Sequence, residues 1–244
     1  MPKLALLAGG LATRMRPSTL TTAKSMLPVA DQPFLAHQLR LLVSQGVNDI
    51  VICAGHLSKQ IEEFAGDGSR WGCTLSYSHD GPEPLGTGGA LRRALPLLGC
   101  EFFVMYGDSY LTVRFSEVWQ AFWQSGKQGL MTVFANQGRW DMSNIVFEDG
   151  EIQQYSKKYR GPAMRHIDYG LSCLNADALE RRPEGSAFDL ADVMTDLLAR
   201  EELAAFEVRE RFYEIGSPEG LLEAEAMLRA RQSDRIVPLS GRSA

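Results

Sequence analysis

Short, continuous apolar runs alternate with amphipathic segments through the first half of the chain. Leu4 to Leu7 has no polar face, the pattern of a central strand covered on both sides. Pro33 to Gln45 switches to helical spacing, with Leu35, Leu39 and Leu42 at i, i+4 and i+7 and Gly46 as its stop. Asp49 to Cys53 reads as a second buried strand, and SKQIEEF as a short helix with Ser58 as its N-cap. Thr74 to Tyr77 gives another strand. The glycine-rich turn of PLGTGGALRRALPLL then feeds a helix, and EFFVMYGDS supplies a further buried strand. Strands alternating with helices predict an α/β fold: a doubly wound, mostly parallel sheet with helices on both faces.

The second half has a different texture. GLMTVFAN is strand-like, and NIVFEDGEIQQY predicts a β-hairpin turning at Asp149-Gly150. DYGLSCL is another strand, DLADVMTDLLAR an amphipathic helix, and AAFEVRERFYEIG again has strand character. SPEGLLEAEAMLRAR opens a helix with Ser217 as N-cap and Pro218 at the first helical position. The polar residues from about 232 to 244 read as a flexible tail.

Composition narrows the class of molecule. A chain of 244 residues with 45% hydrophobic content can bury a full core as one large domain or two joined halves. A formal charge of −5 argues against a nucleic-acid binder, and no apolar run is long enough to span a bilayer. Cys53, Cys73, Cys100 and Cys173 are scattered, without a CxxC pair, which points to packing roles and a cytoplasmic location. His37, His56, His79 and His166 form no metal-ligand spacing, and Trp119, Phe122 and Trp123 fall in a helical pattern suited to a core or an interface. A homo-oligomer is compatible with the sequence.

Chemistry concentrates just after the first strand. Ala8, Gly9 and Gly10 open a loop in which backbone N–H groups can approach an anion closely. Arg14 can fork onto phosphate oxygens, and Lys24 adds a mobile point charge. A turn followed by a solvated basic segment would give the same letters. The segment lacks the GxxxxGK[ST] of a Walker loop and the GxGxxG of a dinucleotide fold, so any phosphate site here is of a third type.

LAGGLATRMRPSTLTTAKSMLPVADQPFL resembles the opening signature of the sugar-1-phosphate nucleotidyltransferases, roughly LAGGxGTRLxPLTxxxPKxxxPVxxxP. Gly9, Gly10, Thr13, Arg14, Pro17, Thr21, Lys24 and Pro28 match it. The resemblance continues in order through GVNDIVICAGHLSKQI, PLGTGGAL, VMYGDS, IQQYSKK and FYEIGSPEGL, covering most of residues 3 to 230. It implies one nucleotidyltransferase domain over residues 1–231, with a nucleotide-binding half at 1–112 and a smaller sugar-phosphate half at 113–231.

The implied reaction joins a nucleoside triphosphate to a sugar 1-phosphate, releasing pyrophosphate and requiring Mg²⁺. The resemblance assigns catalysis to Arg14, Lys24 and Asp108. It assigns nucleotide binding to Ala8, Gly9, Gly10, Thr13, Arg14 and Asp108, with Gly86, Thr87, Gly88 and Gly89 letting backbone meet the base. The form of PLGTGGAL is similar to that of mannose- and heptose-phosphate guanylyltransferases, which favours GTP. Asn144, Lys158, Asp168, Tyr169 and Gly170 fall at sugar-phosphate positions, and Arg160 and Arg165 nearby suit a strongly anionic acceptor. Asp108 and Glu214 fall at the metal positions, Glu214 where the family has Asp. Ala12, Ala23, Ser25, Arg114, Asn144 and Lys157 also depart from the common pattern. Two alternatives stay open: a catalytically weak relative that binds nucleotide-sugar and regulates a partner, and an enzyme for a non-sugar phosphate or phosphonate.

Overall fold

The computed structural model describes residues 1–10, 15 and 19–236. After β1 (Lys3–Leu7) come a 3-10 turn at Lys24–Met26, the strand pair β2 (Pro28–Val29) and β3 (Gln32–Pro33), and α1 (Phe34–Ser44). β4 (Asp49–Ala54), α2 (Ser58–Ala65), β5 (Thr74–His79), α3 (Gly86–Leu98) and β6 (Glu101–Tyr106) complete the first half. The second half holds β7 (Ser109–Tyr110), α4 (Phe115–Ser125), β8 (Gly129–Phe134), β9 (Ile145–Glu148), β10 (Glu151–Tyr155) and β11 (Ile167–Asn175). It closes with α5 (Asp177–Glu180), α6 (Leu190–Ala199), β12 (Leu203–Val208), β13 (Tyr213–Glu214) and α7 (Pro218–Ile236).

Among the described residues a seven-stranded sheet runs β12-β8-β11-β6-β1-β4-β5. β6, β1, β4 and β5 pair in parallel, as do β8 and β12, while β11 is antiparallel to both neighbours. The fold is the α/β, mostly parallel sheet that the alternation predicts. Side chains along each strand leave on alternate faces. Leu4, Leu6, Ile50, Ile52, Phe103 and Met105 enter one core, whereas Ala5, Leu7, Val51, Phe102 and Val104 enter the other. Each of the larger apolar side chains contributes about 1.5–3 kcal/mol on burial. A third cluster seats Ala224 and Leu228 of α7 on Val29, Phe34, Tyr110 and Ile215.

Local differences have local causes. Ser58 is the first residue of α2 rather than its cap; Leu57 takes the cap position at φ 61° and packs against the core. The glycines of PLGTGGAL do not form a turn ahead of α3, because the helix begins at Gly86 itself. AAFEVRERFYEIG divides into β12 and β13, and Phe212 between them packs edge-on against Phe134 and Tyr169. The hairpin turns at Asp149 and Gly150, both at positive φ, as the type I′ signature requires. Helix α7 continues to Ile236, beyond the point where composition suggests a tail.

Candidate functional site

A cavity of about 400 Å³ opens where β1 and β6 end and α3 begins. Carboxyl ends of parallel strands are the usual ligand edge of such sheets. Leu7 to Gly10 form one wall, Gly86, Thr87 and Ala90 of α3 another, and Tyr106 to Asp108 a third. Lys24 and Gly216 close one side, while Cys53 and Asp80 also line the cavity.

Close backbone contacts set this edge. Ala8 N–H donates to Cys53 O and Gly107 N–H to Leu7 O, each at 2.9 Å. A Cβ on Gly107 would stand 2.7 Å from Leu7 O, so glycine is what lets the turn bearing Asp108 cross the end of β1. Gln38 of α1, fully buried, holds that turn from beneath by donating to Tyr106 O and Ser109 O. Its sequence signal is a polar residue set among the leucines of a buried helix.

Lys24 Nζ donates to Asp108 Oδ2 at 2.5 Å, with side-chain exposures of 15% and 30%. Ser109 Oγ donates to Asp108 Oδ1 at 3.3 Å. Ser25, beside Lys24, is buried, lines the cavity, and has a hydroxyl without a hydrogen-bond partner among the described residues. Asp80 is buried, and burial raises its pKa against the opposing effects of the Leu85 N–H and the Arg93 and His79 charges. Burial, with Asp80 nearby, pushes the Cys53 thiol up to about 12, so it stays protonated and inert.

The predicted residues separate into groups. Ala8, Gly9, Gly10, Lys24, Gly86, Thr87 and Asp108 meet at this cavity. Ala12, Thr13 and Arg14 lie outside the described residues. Gly88 and Gly89 face another way: a Cβ at Gly88 would fall 2.4 Å from the Phe188 ring, and one at Gly89 2.5 Å from Ser186 O. Their small size seats the loop preceding α6, and their N–H groups donate to Phe188 O.

Glu214 pairs with Ser109 across β13 and β7, one residue from Asp108, yet its carboxylate turns to the start of α7. It accepts from Gly216 N–H and, at 2.8 Å, from Ser217 Oγ. Ser217 in turn caps α7 by accepting from Gly220 N–H at 3.0 Å. Among the described residues no cluster of three His, Cys, Asp or Glu could hold a metal. Asp108 offers a hard oxygen at the cavity and fits one ligand position of Mg²⁺, which needs only one or two carboxylates. Glu214 holds its two donors at Gly216 and Ser217, and Gly216 also lines the cavity next to Lys24.

At the predicted sugar-phosphate positions, Asn144 Oδ1 accepts from Asp168 N–H at 3.2 Å, and Asp168 Oδ1 accepts from Gly170 N–H at 3.0 Å. Gly170 sits at φ 100°, within the register shift of β11 against β8, beside Ser109 and Tyr106. Burial lifts the Asp168 pKa to about 6, against the Gly170 N–H and the Lys157 charge. Tyr169 points into the core instead, where its hydroxyl accepts from Thr112 N–H and its ring meets Phe134 and Phe212. Lys158 is exposed, while Lys157 Nζ donates to Asp189 Oδ1 at 2.8 Å. Arg160 and Arg165 line a second, open groove of about 630 Å³ with Ser143 and Gln137. Asp189 has no chemical motif to mark it; an acid before an amphipathic helix signals only a cap.

The model of the nucleotidyl transferase family matches residues 3–231. Mannose-1-phosphate guanylyltransferase catalytic subunit beta of Drosophila pseudoobscura pseudoobscura is 29% identical over 95% of this chain and 64% of its own length. The Xenopus tropicalis protein of that name is 30% identical over 92% of this chain and 64% of its own. The chain thus spans slightly less than two thirds of these relatives. Among solved structures, a Bacillus anthracis protein assigned as a glucose-1-phosphate thymidylyltransferase, crystallised with sucrose, superposes at TM-score 0.83. It is 20% identical, over 94% of this chain and 96% of that one. HddC from Yersinia pseudotuberculosis, complexed with GMP-PN, superposes at TM-score 0.77 with 23% identity, over 93% of this chain and 100% of that one. These two likenesses carry the fold.

Proposed function

Since the chain belongs to the nucleotidyl transferase family, we propose that it joins a nucleoside triphosphate to a sugar 1-phosphate, releasing pyrophosphate. The observation that carries this reading is one cavity that holds the Gly9-Gly10 loop, the start of α3 and the Lys24–Asp108 pair. Phosphoryl transfer of this kind needs positioning and charge stabilisation rather than a covalent protein intermediate. Lys24 would turn from Asp108 to the α-phosphate, where negative charge grows as the acceptor oxygen attacks. Arg14, assigned by its motif position alone, would hold the departing pyrophosphate with Thr13 beside it. Mg²⁺, when bound, would neutralise phosphate oxygens, with Asp108 and Glu214 as its carboxylates.

Asp80 supports GTP as the nucleotide. A carboxylate accepts on both oxygens, and guanine offers a ring N–H beside an exocyclic amine. The names of the guanylyltransferase relatives and the GMP-PN complex of HddC agree with that choice. Asn144, Asp168 and Gly170 would face the sugar, with Lys158 drawn in to its phosphate; residues 1–112 and 113–231 would serve the two substrates respectively. Arg160 and Arg165 favour an acceptor carrying a further anionic group. The scattered free cysteines agree with a cytoplasmic site of action.

The test is pyrophosphate release from each of four nucleoside triphosphates with glucose, mannose, heptose or N-acetylhexosamine 1-phosphate. GTP with mannose or heptose 1-phosphate should give the highest rate. Absence of pyrophosphate from every pair at high enzyme concentration would sink the enzyme; tight nucleotide-sugar binding without turnover would then favour a regulatory role.

A further inference from the structure

One carboxylate oxygen connects the two sides of the site. Asp189 Oδ1 accepts from Thr87 Oγ1 at 3.2 Å, from Lys157 Nζ at 2.8 Å, and from Ala191 N–H at 2.8 Å. Thr87 belongs to the cavity wall, and Lys157 to the segment that leaves β10 toward Arg160. Leu190 N–H donates back to Thr87 Oγ1 at 2.8 Å, so the threonine hydroxyl is fixed as both acceptor and donor. The loop bearing Asp189 is itself clamped to α3. Phe188 O accepts from Gly88 and Gly89 N–H, Phe188 N–H donates to Leu85 O, and the Phe188 ring fills the space a Cβ on Gly88 would need. A capping box with Asp192 holds the Asp189 rotamer.

We propose that Asp189 is a positioning residue that couples nucleotide binding at the cavity to acceptor binding beside Lys157. The inference rests on the nucleotidyltransferase reading of the site and adds a link that the sequence motifs do not carry. A nucleotide ordering the start of α3 fixes Thr87, hence Asp189, hence Lys157; the acceptor then meets a segment already ordered. By linkage the effect is reciprocal, each substrate tightening the other by one factor. Burial alone would raise the Asp189 pKa, but the Lys157, Ala191 and Thr87 bonds outweigh it and lower the value, so the bridge stays ionised at neutral pH.

The experiment is calorimetric titration of a non-hydrolysable GTP analogue into the full chain with Mg²⁺, with and without mannose 1-phosphate. The parent should bind the analogue roughly 5-fold or more tightly when the sugar phosphate is present. Asp189→Ser retains a capping oxygen but is too short to span Thr87 and Lys157, so its factor should fall to near one at an unchanged melting temperature. Lys157→Met should do the same, and Asp189→Asn, which keeps the oxygen in place, should restore part of it. An Asp189→Ser chain that keeps the parent's factor, or loses only stability, overturns the proposal. A parent that binds both compounds independently overturns the bridge alone. A parent that binds neither overturns the reading of the site as well.

Discussion

The two lysine–aspartate pairs flanking the site differ in what surrounds them. Lys24–Asp108 is mostly enclosed, at 15% and 30% side-chain exposure, and joins a loop to the end of a central strand. Lys157–Asp189 is open, at 41% and 46%, and is embedded in a helix cap. An exposed pair of this kind contributes little to stability, with a median of about 0–1 kcal/mol. A more enclosed pair leaves a costly unpaired charge when one partner is removed. The contrast teaches that the same two residue types stand in different settings, one suited to the proposed reacting centre and the other to the proposed mechanical tie.

The strongest break of that contrast is at the enclosed pair. Lys24→Ala and Asp108→Ala should each lower kcat by about 10²–10³-fold, the range for removal of one preorganised electrostatic group. Lys157→Met should instead act mainly on substrate affinity, so a kcat loss of equal size there would erase the distinction. Gly107→Ala tests the backbone under the enclosed side. With Leu7 O only 2.7 Å from the added carbon, the turn must shift, and about 1–3 kcal/mol of stability should be lost in denaturant titration.

Asp168 sharpens the proposed acceptor side through pH. Its carboxyl is raised from 3.8 to about 6, so the stability it contributes is full below 3.8 and lost as pH climbs through about 6. Asp168→Asn should therefore be more stable than the parent at pH 7.5, by up to roughly 3 kcal/mol, and equal to it near pH 3.5. A gap that widens toward acid would contradict the assignment of burial as the dominant cause. Smallest is Ser25→Ala. Deleting an orphaned buried hydroxyl should raise stability by about 1 kcal/mol, while the KM for nucleotide rises if that hydroxyl finds its partner in a bound phosphate.

Much of this was legible in the chain because strands covered on both faces are written as unbroken apolar runs. Leu4 to Leu7 and EFFVMY announced the centre of the sheet, and Asp149-Gly150 its side hairpin. What escaped was the part decided by tertiary contact. Nothing local says that the GTGG run starts a helix and docks Phe188, or that Glu214 accepts from Gly216 and Ser217 just ahead of α7. Tyr169 shares a strand with Asp168, so its core placement follows from strand alternation once the face of Asp168 is known. Gln38 and Asp189 act through bonds spanning 71 and about 100 positions respectively, distances over which periodicity carries no information.

β11 runs against all six of its companions, so its beginning lies beside their endings. Asp168, near the amino end of that strand, therefore shares a rim with Gly9 and Asp108, which follow strands pointing the other way. On the proposed function, acceptor preference can then drift through residues before and within one reversed strand, without altering the glycines and charges after β1 and β6 proposed to grip the nucleotide. A single change of direction would give the proposed enzyme two separately tunable specificities on one edge.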